Sequence, residues 1–94
     1  MTTIRLPRML SEAANIDLRH DVDGTTVGEA LDSLFQRKPG LRNHILDDGG
    51  GIRPHVSVFV DGMQADLGAE VGDGSEIRVL HAVSGGRPVR GTFV

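Results

Sequence analysis

Apolar residues recur along this chain with two different periods, and the places where the period changes divide it into elements. Thr3 to Pro7 alternates, with Ile4 and Leu6 on one side and Arg5 on the other, the pattern of a half-buried strand closed by a proline. Ser11 to Asn15 is small and polar and reads as a turn. Ile16, Leu18 and Val22 then alternate with Asp17, Arg19 and Asp21 as a second strand, so the pair predicts a hairpin with a long loop. From Val27 the period lengthens to about 3.6 residues: Val27, Ala30, Leu31, Leu34 and Phe35 fall on one face of an amphipathic helix. Thr26 and Glu29 carry the spacing of a capping box, in which each side chain satisfies a free N–H at the helix start. Pro39-Gly40 ends that helix, and Leu41 and Ile45, four apart, predict one further turn.

The second half returns to alternation. Asp47 to Gly51 predicts a flexible polar loop. Val56, Val58 and Val60 alternate with Ser57 and Phe59 and run into Asp61-Gly62, a dipeptide that suits the positive φ angles of a type I′ hairpin. Met63 to Asp66 predicts a short return strand and Leu67 to Val71 an irregular segment. After the turn signal Asp73-Gly74, Ile77 and Val79 alternate with Glu76, Arg78 and Leu80 in a last strand reaching about Ala82. One helix is long enough to cover a sheet, so its stripe must pack on one face of a mixed sheet of four to five strands. The order predicts a two-layer α+β domain of the β-grasp, ubiquitin-like kind. Its inward set is Ile4, Leu6, Val27, Leu31, Leu34, Phe35, Val56, Val58, Val60, Ile77 and Val79. The domain covers residues 1–84, and residues 85–94 read as a flexible C-terminal tail.

Composition narrows the function. With 94 residues and no cysteine, the chain is one small domain without disulfides, thiolate sites or a cysteine nucleophile, and it has little room for a deep internal active site. Ten basic against thirteen acidic residues give a net charge of −3. With only Phe35, Phe59 and Phe93 as aromatics, this argues against a nucleic-acid partner. No apolar run is long enough for a signal peptide or a bilayer span, which predicts a cytoplasmic protein without a membrane partner. His20, His44, His55 and His81 lie in separate elements without metal-ligand spacing and read as surface residues, so no metal site is assigned. Asp47-Asp48 with its three glycines lacks both the calcium-loop pattern and the lysine of a phosphate loop. No catalytic residue is assigned, and the chain reads as a carrier or substrate of other enzymes. Phe59 and Leu80 fall on the sheet face opposite the helix, where nothing in so short a chain remains to cover them; they form a candidate docking patch.

Gly85 and Gly86 follow the last strand directly. In this setting they resemble the ubiquitin-like sulfur-carrier family of the ThiS and MoaD type. The resemblance spans nearly the whole chain to Gly86. It is carried by Thr26-Val27-Gly28-Glu29-Ala30-Leu31 at the helix start, Val58-Phe59-Val60-Asp61-Gly62 at the central hairpin, and the segment from Asp73-Gly74 to Gly85-Gly86. It implies that an ATP-using adenylating enzyme related to ubiquitin-activating enzymes activates the carboxylate of Gly86. The product becomes a thiocarboxylate that donates sulfur to an accepting biosynthetic enzyme. The carrier itself holds no cofactor. Two glycines suit the task, because without side chains they thread a narrow channel and leave the terminal carbonyl open to attack. Here Arg87 to Val94 follow, so the Gly86 carbonyl is an amide. The resemblance then implies a precursor, cut between Gly86 and Arg87 by a zinc-dependent peptidase of the JAMM type. Two other readings stand beside this one. The first is a non-covalent β-grasp interaction module that uses its uncleaved tail; the second is a ubiquitin-like modifier joined to proteins through Gly86.

Overall fold

Five strands form one mixed sheet in the order β2-β1-β5-β3-β4: β1 Thr2–Arg5, β2 Arg19–Val22, β3 Val56–Val60, β4 Met63–Gln64 and β5 Glu76–His81. The computed structural model describes residues 1–81. β1 and β5 run parallel at the centre, and the other neighbouring strands are antiparallel. The register pairs Ile4 with Ile77 across β1 and β5, and Val58 with Val79 and Val56 with His81 across β3 and β5. Paired residues point to the same face. Ile4, Ile77, Val79, Val58 and Val56 therefore make one apolar surface, each at most 5% exposed. The main helix α2, Val27–Arg37, lies over it and buries Val27, Ala30, Leu31, Leu34 and Phe35. Burying one such aliphatic side chain contributes about 1.5–3 kcal/mol, which is how a domain with no disulfide stays folded. This is the β-grasp arrangement that the two periods predict.

The first three residues of α2 all find partners for their free N–H groups ahead of the helix's own ladder, which begins with Ala30. Val27 and Gly28 donate to the carbonyls of Ala69 and Leu67, both at 2.9 Å, Glu29 donates to Thr26 Oγ1 at 3.2 Å, and Ala30 donates to the Thr26 carbonyl at 3.0 Å. The capping box is displaced by one residue on its return side, because the Glu29 carboxylate accepts from the hydroxyl and the N–H of Thr25 rather than from Thr26. Those bonds hold the Glu29 carboxyl below its ordinary range. Just before the helix, Gly24 packs against its backbone. A Cβ there would lie 2.5 Å from the Ala30 nitrogen, so only glycine lets β2 turn into α2 this closely.

Several local readings are corrected. Ser11 to Asn15 is not a turn but the end of a helix, α1, Arg8–Ala14, which buries Leu10 and stops at Asn15 in the left-handed conformation, φ 55°. Leu6, Leu10 and Ala14 are four apart, the spacing of one helical face, and Pro7 fits the residue before the first turn. The second strand consequently begins at Arg19 rather than Ile16. Ile16 packs on the core as the chain leaves α1, Leu18 is exposed, and of the four β2 residues only Val22 is buried. The Asp47 to Gly51 loop is also more organised than its composition predicts. Asp47 Oδ1 accepts from Gly49 N at 2.9 Å and Gly51 N at 3.0 Å, and Leu46 bridges to Ile52. Ahead of it, Pro39–Leu41 forms a 3-10 turn and Arg42–Ile45 a short helix, α3, which bury Leu41 and Ile45 as the four-residue spacing predicts.

The hairpin at Asp61-Gly62 has φ values of 49° and 90°, as a type I′ turn requires. Its return strand is only Met63–Gln64, and Val60, expected inside, is partly buried at the strand end.

Candidate functional site

The sheet has a second face that no described element covers. Alternation sends Thr3 and Arg5 of β1, Arg19 and Asp21 of β2, Ser57 and Phe59 of β3, Gln64 of β4, and Glu76, Arg78 and Leu80 of β5 to that side. Phe59 is half-buried and Leu80 is 43% exposed. Together with Gly62, Glu76 and Arg78 they line a shallow pocket of about 330 Å³. The structure thus brings the two predicted docking residues to one concavity: Arg78 pairs with Phe59 across the ladder, and Leu80 lies two residues further along β5.

The register adds what the sequence reading missed. Arg19 pairs with Arg5, Arg5 with Arg78, Arg78 with Phe59 and Phe59 with Gln64, so one straight row crosses all five strands and three of its members are arginines. Glu76 lies between two of them, 3.6 Å from Arg5 Nη1 and 3.4 Å from Arg78 Nη2. Asp21, beside Arg19, accepts from the Thr3 hydroxyl at 2.8 Å. Among the described residues Arg19 has no carboxylate within ion-pair distance.

β5 carries the chain toward its C-terminus and is described as far as His81, at the end of the sheet. The His81 ring meets the His55 ring edge-on with centroids 4.7 Å apart, although the two lie 26 positions apart in sequence. Burial, then the nearby His55 and His44, lower the His81 pKa, and its Nδ1 is buried without a partner among the described residues. His55 and His81 thus meet across the fold, with His44 and His55 exposed as surface residues and His81 half-buried. Among the described residues no group of three or more His, Cys, Asp or Glu side chains is arranged to hold a metal ion, and no helix is long and apolar enough to cross a membrane. Gly85, Gly86 and Arg87, the predicted carrier and cleavage residues, lie outside the described residues, as does the predicted domain boundary at residue 84.

Known proteins share this architecture and part of the sequence. The model of the ThiS family matches residues 4–86. The small archaeal modifier protein 1 of Haloferax volcanii is 39% identical over 75 residues, 79% of this chain and 86% of that protein. Its crystal structure superimposes with a TM-score of 0.76 over 90% of this chain and 98% of that chain, at 37% identity. A chain of the Amycolatopsis orientalis BexX/CysO complex superimposes with a TM-score of 0.82 over 92% of this chain and all of that one, at 26% identity. A two-layer β-grasp domain with an open sheet face, a double glycine after its last strand and a family match over residues 4–86 lead to one conclusion: the chain belongs to the ThiS family of ubiquitin-like sulfur carriers.

Proposed function

We propose that the chain is the precursor of a sulfur carrier whose working form ends at Gly86. The observation that carries this reading is that the family match runs to residue 86 and stops at the second glycine, with Arg87 to Val94 beyond it. A peptidase of the JAMM type hydrolyses the Gly86–Arg87 amide and leaves a carboxylate on Gly86. An oxygen of that carboxylate attacks the α-phosphate of ATP in the adenylating partner and releases pyrophosphate. Sulfide or its equivalent then attacks the acyl carbon and releases AMP, leaving a thiocarboxylate for the sulfur-accepting enzyme. Every catalytic group in this scheme belongs to a partner. The chain contributes an acyl terminus on a narrow stem and a surface to hold, the patch around Phe59 and Leu80. The scheme's use of ATP supports a cytoplasmic setting for the cycle.

Mass spectrometry tests the scheme. A chain ending at Gly86, incubated with ATP, an adenylating enzyme of the ubiquitin-activating type and sulfide, gains the mass difference of one oxygen replaced by sulfur. The chain ending at Val94 stays unchanged until a JAMM-type peptidase is added. A trimmed chain that takes up no sulfur, or a cellular form that keeps Val94 while it works, overturns the reading. The name of the Haloferax volcanii relative favours a second use of the same acyl-adenylate, transfer to an amine of another protein. Products that retain the carrier's mass on a lysine distinguish it.

A further inference from the structure

We infer that the open sheet face is built for a partner protein that presents carboxylates beside an apolar side chain, gripped by the row Arg19, Arg5 and Arg78 and seated in the pocket of Phe59 and Leu80. The inference rests on the reading that this face meets a partner and names that partner's chemistry. Like charges directly opposite each other in a sheet are unfavourable. This sheet nevertheless pairs Arg19 with Arg5 and Arg5 with Arg78, on neighbouring strands about 4.8 Å apart. Glu76 offsets the second pair at 3.6 and 3.4 Å, and no carboxylate among the described residues does so for Arg19.

The overall charge does not explain the row, since the chain is net negative at −3 and these are three of its eight basic side chains up to Gly86. All three are exposed, and Arg5 and Arg78 keep about half of their side-chain surface in solvent. A guanidinium matches a carboxylate through two parallel N–H bonds, so a row of them fits an acidic ridge. The same row runs directly into Phe59, with Leu80 and the roughly 330 Å³ pocket next to it. That apolar end has nothing to offer a phosphate backbone, and the acidic remainder of the chain repels one. A partner protein with glutamates or aspartates around a leucine-sized side chain satisfies both ends at once.

The test uses the full-length chain labelled for NMR and a short peptide with glutamates flanking a leucine. A peptide with glutamine in place of glutamate and an oligothymidine strand serve as comparisons. The acidic peptide is expected to shift the amide signals of Arg5, Arg19, Phe59, Arg78 and Leu80, and the glutamine peptide to bind about tenfold more weakly. The variant Arg5→Gln/Arg19→Gln/Arg78→Gln should lose acidic-peptide affinity by a similar factor. It should melt close to the parent, because the repulsion it removes is balanced by the loss of the two solvent-exposed ion pairs to Glu76, each worth little. Equal binding of the two peptides, unchanged binding by the variant, or stronger binding of oligothymidine at the same residues would each overturn the inference. Sulfur uptake at Gly86 is scored separately and does not enter the peptide result. A chain that takes up sulfur yet ignores the acidic peptide removes this inference alone, and one that binds the peptide yet takes up no sulfur removes only the carrier scheme.

Discussion

The two faces of the sheet are made by the same strands and the same alternation, yet they answer to different demands. On the covered face Ile4, Val58, Ile77 and Val79 meet α2 and are essentially sealed from water. On the open face their immediate neighbours in sequence are Thr3 and Arg5, Ser57 and Phe59, and Glu76, Arg78 and Leu80. The first set is explained by stability alone, since each side chain adds buried apolar surface. The second is not, since it sets arginine against arginine and leaves Leu80 in solvent. In a domain of this size a locally unfavourable arrangement on one face, beside full consistency on the other, supports the proposal that the open face meets another molecule.

The contrast breaks most strongly on the covered side. Leu31→Ala removes a fully buried side chain of α2 and should cost about 2–5 kcal/mol, seen as a large drop in the thermal midpoint. A loss below that range would mean that the helix stripe is not the main support. Next in size is Gly24→Ala, whose added methyl meets the backbone of Ala30. Overpacking of that kind costs about 1–3 kcal/mol, and a chemical-denaturation curve identical to the parent's would show that the β2–α2 junction yields freely.

A smaller effect comes from His81 at the boundary between the faces and the C-terminal exit. The folded protein holds its proton less tightly than the unfolded chain does, so stability is complete above the ordinary value of 6.5. It then declines as the pH falls below that value toward the lowered one. Melting points taken from neutral to mildly acidic pH should therefore fall more for the parent than for His81→Gln, and parallel curves would count against the desolvated imidazole. The smallest change in stability belongs to the open face: Leu80→Asp should alter the folding free energy by no more than about 0.5 kcal/mol while it abolishes docking. Unfolding by that substitution would place Leu80 in the core and erase the distinction between the two faces.

The sequence by itself determined whatever depends on neighbours within a few residues. The stripe from Val27 to Phe35, the valine alternation from Val56 to Val60, the type I′ turn at Asp61-Gly62 and the helix cap at Thr26 were all legible, because each is a period or a turn chemistry that residues close in the chain impose on one another. The same reading supplied Phe59 and Leu80, by parity alone. It missed α1, whose seven residues bury only Leu10 and whose helicity rests on packing rather than on a strong local pattern. Nor did it foresee the need for glycine at position 24, which arises from the backbone of a helix that begins three residues later. The arginine row and the meeting of His55 with His81 were equally hidden. Alternation says which face a residue takes, but only the register between strands far apart in the chain says which residues stand side by side. That register is set by the cooperative packing of Ile4, Val58, Ile77 and Val79 under α2, so the core decided the layout of the open face.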